Sequence, residues 1–214
     1  EPETLRPPQP EAVKTAFSAQ LWSILKEDSN FRRYIYSRAL WFLGSMASGF
    51  VAVYGIQRFN LPDAYAAIFT SVLVGFSTLG FIIWGALGDR FGHKFVLIGG
   101  ALLWVGALAI LLLVPAQWAL YLAFALIGLS QPGNTIGDLN LAMEFDSGPR
   151  RPAYIGLVRT LTAPVLLIAP VLAGAVVSWS SYPVMFVFSF GFSVCSLAVL
   201  LLGVTDPRKI KPNA

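Results

Sequence analysis

Apolar residues fall along this chain in six long runs, each bounded by a short cluster of charged, proline or glycine residues. The runs predict helices over about 34–57, 64–87, 94–114, 117–145, 152–178 and 183–204. Each has the roughly 18–20 residues that a helix needs to cross a bilayer at 1.5 Å per residue. The separators carry turn chemistry: Asn60, Pro62 and Asp63 after the first run, Pro115 after the third, and a charged turn over 146–151 after the fourth. Ser29-Asn30 offers an N-cap ahead of the first run. The fourth run contains Gln131-Pro132-Gly133-Asn134, where proline removes a backbone donor and predicts an interruption of the helix.

Upstream, residues 1–10 hold Pro2, Pro7, Pro8 and Pro10 and read as an extended linker. Residues 11–28 place Val13, Phe17, Leu21, Ile24 and Leu25 on one face, an amphipathic helix that either lies at the membrane interface, where Trp22 suits the headgroup level, or docks on the membrane domain as a soluble linker helix. The expected organisation is a linker with an interfacial helix over 1–30, a six-helix bundle over 31–205 and a tail over 206–214.

Composition excludes the alternatives. Of 214 residues 56% are hydrophobic and 12% charged, about half the charged share of a soluble domain. The expected fold is an all-α polytopic membrane protein with the lipid bilayer as its first partner. Cys195 is the single cysteine, which removes an intramolecular disulfide and any Cys-pair metal site. The segment 88–94 is one residue short of a phosphate loop and lacks its Ser/Thr, and neither a zinc-protease nor a nucleophile-elbow motif occurs. No enzyme class, cofactor, metal or nucleic-acid partner is expected.

Charge position then gives orientation. Lys14, Lys26, Arg32, Arg33, Arg90, Lys94, Arg150, Arg151, Arg208, Lys209 and Lys211 fall on one side, while Arg58 is alone in the loops of the other. Both termini are therefore expected on the cytoplasmic side. Arg38, Asp138 and Arg159 lie within the runs, each roughly 10 Å from the cytoplasmic edge by helical rise. Intramembrane charges are costly and need partners or water. Their common depth predicts that Asp138 pairs with Arg159 or Arg38, either within an inner gate or as a static packing pair. The first and fourth runs are the most polar, with Arg38, Ser45, Ser48 and Tyr54 in one and Gln131, Asn134 and Asp138 in the other. This suggests two inverted three-helix repeats, 32–114 and 117–204.

The loop between the second and third runs carries Gly85, Leu87, Asp89, Arg90, Gly92 and Lys94. It resembles the Gly-x-Leu-x-Asp-Arg-x-Gly-x-Lys loop of the major facilitator superfamily, with His93 where that family usually has Arg or Lys. Asn30–Tyr34, Met46–Phe50, Tyr154–Leu157 and Ala169–Gly174 resemble the C-terminal half of bacterial members. Ala169 and Ala173 stand where an antiporter signature would put glycines. The resemblance implies the central linker plus helices seven to twelve of a transporter in the plasma (inner) membrane of a bacterium. Such a half moves a small-molecule solute by alternating access, coupled to a proton or solute gradient. It works beside a missing N-terminal six-helix half or as a homodimer. The start at Glu1 likewise reads as a segment of a longer protein.

Within that reading, Gly85 allows close helix packing, Gly92 a positive φ, and Asp89 faces helix N-termini. Glu144 engages Arg90 and Arg151, either as a gating cluster or as a charge cluster that only sets topology. Asp138 is the protonatable coupling group. Trp41, Ser45, Ser48, Tyr54, Gln131 and Asn134 line the solute cavity. The rival class is a non-transporting six-helix membrane module that binds a partner or lipid.

Overall fold

Asp28 starts the bundle. Its carboxylate accepts the Phe31 N–H at 2.8 Å and caps α1 (Ser29–Gly44), so the cap lies one residue before the expected Ser29-Asn30. Asn30 serves another purpose: its amide donates to the Thr205 carbonyl at 2.8 Å and accepts the Thr205 N–H at 2.7 Å. The first span is thereby tied to the end of the last. The computed structural model describes residues 22–146, 148 and 150–210. A short helical segment over 22–27 precedes Asp28, with Ile24 buried and Trp22 exposed. The rest of the expected amphipathic helix, the proline-rich linker and residues 211–214 lie outside the described residues.

The first span is not one regular helix. After α1 the chain tightens into a 3₁₀ segment, Ser45–Phe50, before α2 (Val51–Phe59). The cause is local. The Gly44 carbonyl accepts from Trp104 Nε1 at 3.1 Å and from the Ser189 hydroxyl, while Ser45 Oγ donates back to the Phe42 carbonyl at 3.0 Å. Neighbouring side chains take a carbonyl that an α-helix would use itself, and a serine offers the backbone a competing bond.

The remaining elements are α3 (Tyr65–Phe91), α4 (His93–Leu113), α5 (Gln117–Glu144), α6 (Arg151–Trp179), α7 (Tyr182–Ala198), a π turn (Val199–Gly203) and α8 (Pro207–Ile210). Among the described residues, five units are long and apolar enough to cross a membrane: Ser29–Phe59, Tyr65–Phe91, His93–Leu113, Arg151–Trp179 and Tyr182–Gly203. The exception, α5, has 28 residues but spends several on Gln131, Asn134, Asp138 and Asn140.

The expected interruption of α5 does not occur: the helix runs unbroken through Pro132. Close packing surrounds the proline turn. Trp84 Nε1 donates to the Leu129 carbonyl at 2.8 Å, Ser130 Oγ donates to the Gly100 carbonyl at 2.7 Å, and the Pro132 ring packs on Gly80 of α3. Proline inside a membrane helix is tolerated where neighbouring helices pack against it.

Packing sorts the helices into two sets. The helix α5 lies against both α3 and α4, while α1 lies against α6 and α7; α4 with α7 and α5 with α6 join the sets. The α4–α5 contact is backbone against backbone. A Cβ on Gly100 would stand 2.9 Å from the Asn134 nitrogen, and one on Gly137 would stand 2.8 Å from the Leu97 nitrogen. Small residues let membrane helices approach this closely, where dispersion rather than water exclusion holds them. Gly85 does not act this way, because a Cβ there meets open space. The close approaches belong to the inward-facing Gly80 and Gly88 instead. Gly92 does adopt φ +91°, which lets α3 end and α4 begin within one residue.

Two apolar clusters fill the interior. One gathers Trp41, Phe69, Trp104, Phe124 and Phe186; the other gathers Phe31, Tyr34, Leu141, Phe145 and Tyr154. In the second, Phe31 meets Tyr154 edge-on at 4.6 Å and Phe145 at 5.1 Å. Along α1, Arg38 falls between the two clusters, and along α5 Asp138 does the same.

Candidate functional site

Asp138 sits on α5 with its side chain 5% exposed, and three groups from two other helices converge on it. Arg38 of α1 brings Nε to 2.7 Å from Oδ1, and Arg159 of α6 brings NH1 to 3.2 Å from Oδ2. Tyr34, one turn before Arg38, donates its hydroxyl to Oδ1 at 2.6 Å and to the Asp138 carbonyl at 2.8 Å. The carboxylate thus meets both arginines at once. The Arg38 Nε contact is an ion pair without hydrogen-bond alignment. The Arg38 NH1 group lies 3.4 Å from Asn134 Oδ1, and the guanidinium stacks over Trp41 and Phe42 at 5.5 and 5.6 Å. A cation over aromatic faces replaces part of its lost hydration.

The two arginines differ in a way that matters. The Arg38 side chain is 4% exposed, whereas that of Arg159 is 53% exposed. One guanidinium is therefore enclosed in the interior, and the other reaches in from the bundle surface. Two cations facing one carboxylate leave a net positive site that a proton on Asp138 would make more positive still.

A second cluster gathers the ends of α3, α4, α5 and α8. Glu144 Oε1 lies 2.5 Å from His93 Nδ1 and 2.6 Å from both Nε and NH2 of Arg208. The Arg208 NH2 group is also 2.7 Å from His93 Nδ1. These partners replace the expected Arg90 and Arg151. His93 opens α4, the helix that α5 packs on most closely, so the end of α5 delivers Glu144 to it. Arg90 instead lies over the Phe91 ring at 5.2 Å, and Arg151 Nε donates to the Asp146 carbonyl at 3.2 Å. Asp89 is exposed, and none of the ion pairs among the described residues reaches it. A Cβ on Gly92 would stand 3.6 Å from Asp206 Oδ2, so the tail after the last span folds over the signature loop. Lys94 and Leu87 are half-buried beside it.

Partly exposed pairs of this kind contribute about 1 kcal/mol or less. Glu144→Gln is accordingly expected to speed thiol labelling of an Asp206→Cys reporter, in a Cys195→Ser background, by about fivefold. An unchanged rate would show that Glu144 does not hold the tail.

The sequence matches the Major Facilitator Superfamily over residues 42–214. The chain belongs to the major facilitator superfamily. No curated protein matches it. Among solved structures it is similar to a point mutant of the nucleoside transporter NupG, with TM-score 0.71 and 16% identity over 91% of this chain and 53% of that one. The chain thus spans about half the length of that structure, and the likeness is one of fold. It is an integral membrane protein of a transporter family rather than an enzyme, and members of this superfamily move small solutes, often with proton coupling.

Among the described residues, the expected cavity residues lie in different surroundings. Trp41 is buried in the apolar core, edge-on to Trp104 at 6.0 Å, and Asn134 is buried with its amide donating to the Ser130 carbonyl at 3.1 Å. Ser45 and Ser48 line a cavity of about 190 Å³ with Phe42, Gly49, Leu166 and Pro170. Tyr54 lines a separate one of about 280 Å³ with Gln57, Arg58 and Tyr182. Gln131 is exposed. Sequence reasoning missed Tyr34, His93 and Arg208 as partners. Tyr34 carried a signal, since it lies four residues from Arg38 and so on the same helical face.

Proposed function

We propose that this chain is the second six-helix half of a secondary active transporter, with Asp138 as its coupling group. The observation that carries the reading is the Asp138 carboxylate held jointly by Arg38, Arg159 and Tyr34. An intramembrane carboxylate at an interhelical junction is the group a proton can neutralise, and neutralising it releases two arginines on different helices. Arg159, being half-exposed, is free to turn away and uncouple α6 from α5.

The six helices act as two inverted triplets, 32–114 and 117–204. Packing supports this. The first helix of the second triplet, α5, lies on the second and third helices of the first triplet, α3 and α4. The first span likewise lies on α6 and α7, the second and third helices of the second triplet. That exchange is what a pseudo-two-fold relation between the triplets produces. The bundle rocks against the other half of a twelve-helix protein in a bacterial inner membrane, passing a small solute by alternating access. Both termini face the cytoplasm, where basic residues concentrate. The Glu144–His93–Arg208 cluster ties the tail to the signature loop and loosens as the cytoplasmic side opens.

Uptake by cells expressing this chain alone and together with the upstream half of its parent tests the reading. Transport is expected only on co-expression. A stable protein that transports in neither setting would contradict it.

A further inference from the structure

A groove of about 540 Å³ runs between the 22–27 segment, the start of α1 and the outer face of α6. Trp22, Lys26, Arg32, Tyr36, Ala39 and Leu161 line it. Its two ends differ in chemistry. Arg32 donates from NH1 to the Leu25 and Lys26 carbonyls at 2.6 and 2.7 Å, so it fastens the short helix to α1 and gathers both cations at one end. The ion pairs among the described residues involve neither Lys26 nor Arg32. From Arg32 to Ala39 along α1 the groove descends about 10 Å at the helical rise, and that stretch is apolar and aromatic. Tyr36 is 63% exposed and Leu161 41% exposed along it.

We infer that this groove binds one acidic phospholipid of the cytoplasmic leaflet. The phosphate sits between Lys26 and Arg32, and one acyl chain lies over Ala39 between Tyr36 and Leu161. Charge complementarity commits the site to this occupant. Basic groups just outside a membrane helix attract anionic headgroups, and a zwitterionic lipid gains far less from them. Trp22, 74% exposed beside the cations, has the amphipathic ring suited to the headgroup level. The polarity gradient, charged at the membrane surface and apolar below, follows the long axis of a lipid rather than that of a protein segment.

Native mass spectrometry of the whole chain with palmitoyl-oleoyl phosphatidylglycerol or the phosphatidylcholine of the same chains tests this. One phosphatidylglycerol should be retained per protein, with phosphatidylcholine released. Lys26→Glu, a change at an exposed side chain, should weaken phosphatidylglycerol retention about thirtyfold, by removing one basic contact and adding an acidic one. Ala39→Trp should fill the acyl path and weaken retention of either lipid without altering charge. Equal retention of the two lipids would overturn the inference, as would phosphatidylglycerol retention untouched by both variants. A dimer that Ala39→Trp dissociates would make the occupant a second copy of the chain and overturn it too.

Discussion

Replacing Asp138 with leucine is expected to destabilise the protein by about 3–5 kcal/mol, the cost of stranding a buried charge rather than of losing a contact. The stranded group is Arg38, whose side chain is 4% exposed and cannot turn to water. Removing both charges should therefore be milder than removing one. Arg38→Met with Asp138→Leu should recover most of the loss, since apolar side chains of similar volume replace a buried pair at little net cost. Arg159 behaves differently. Its side chain is 53% exposed on the bundle surface rather than sealed in the interior, so Arg159→Met should cost clearly less than Asp138→Leu. Thermal unfolding midpoints of these variants in detergent measure the pattern. A double variant as unstable as Asp138→Leu alone would show that Arg38 is not the stranded group.

The second large effect comes from one methyl group. Gly137→Ala would put a Cβ 2.8–2.9 Å from backbone atoms of Leu97, and backbone cannot swing aside as a flexible side chain does. Helices α4 and α5 must separate, at about 1–3 kcal/mol. Because Gly137 adjoins Asp138, the separation also displaces the carboxylate from its partners. Gly85→Ala is the internal control: its Cβ would meet open space, so the alanine should be neutral or stabilising by up to about 1 kcal/mol through helix propensity. Midpoints that fall equally for both glycines would contradict the close-contact account.

The helical architecture was legible because its signal is coarse. Long apolar runs separated by proline, glycine and charge define membrane helices whatever their neighbours do, and Gly92 announced its positive φ through the tightness of the turn around it. What stayed hidden depends on which side chain reaches which backbone group. Pro132 looked like a break, yet α5 continues through it, packed on Gly80 and beside Trp84, 48 residues earlier. The α1 segment looked regular, yet Trp104 and Ser189 draw off the Gly44 carbonyl from two other helices. The depth of Arg38, Asp138 and Arg159 could be counted from helix ends, so their meeting was anticipated. The partners of Glu144 could not, because Arg208 arrives from a tail whose path follows no periodicity.

The most direct measurement is gradient-driven accumulation against solute exchange in vesicles carrying this chain with its other half, comparing wild type with Asp138→Asn. Asparagine keeps the shape and removes the titratable charge. The account predicts that Asp138→Asn loses accumulation driven by an imposed pH gradient while exchange of solute across the membrane persists. Accumulation at the wild-type level in Asp138→Asn would contradict it and leave the charge cluster a packing feature.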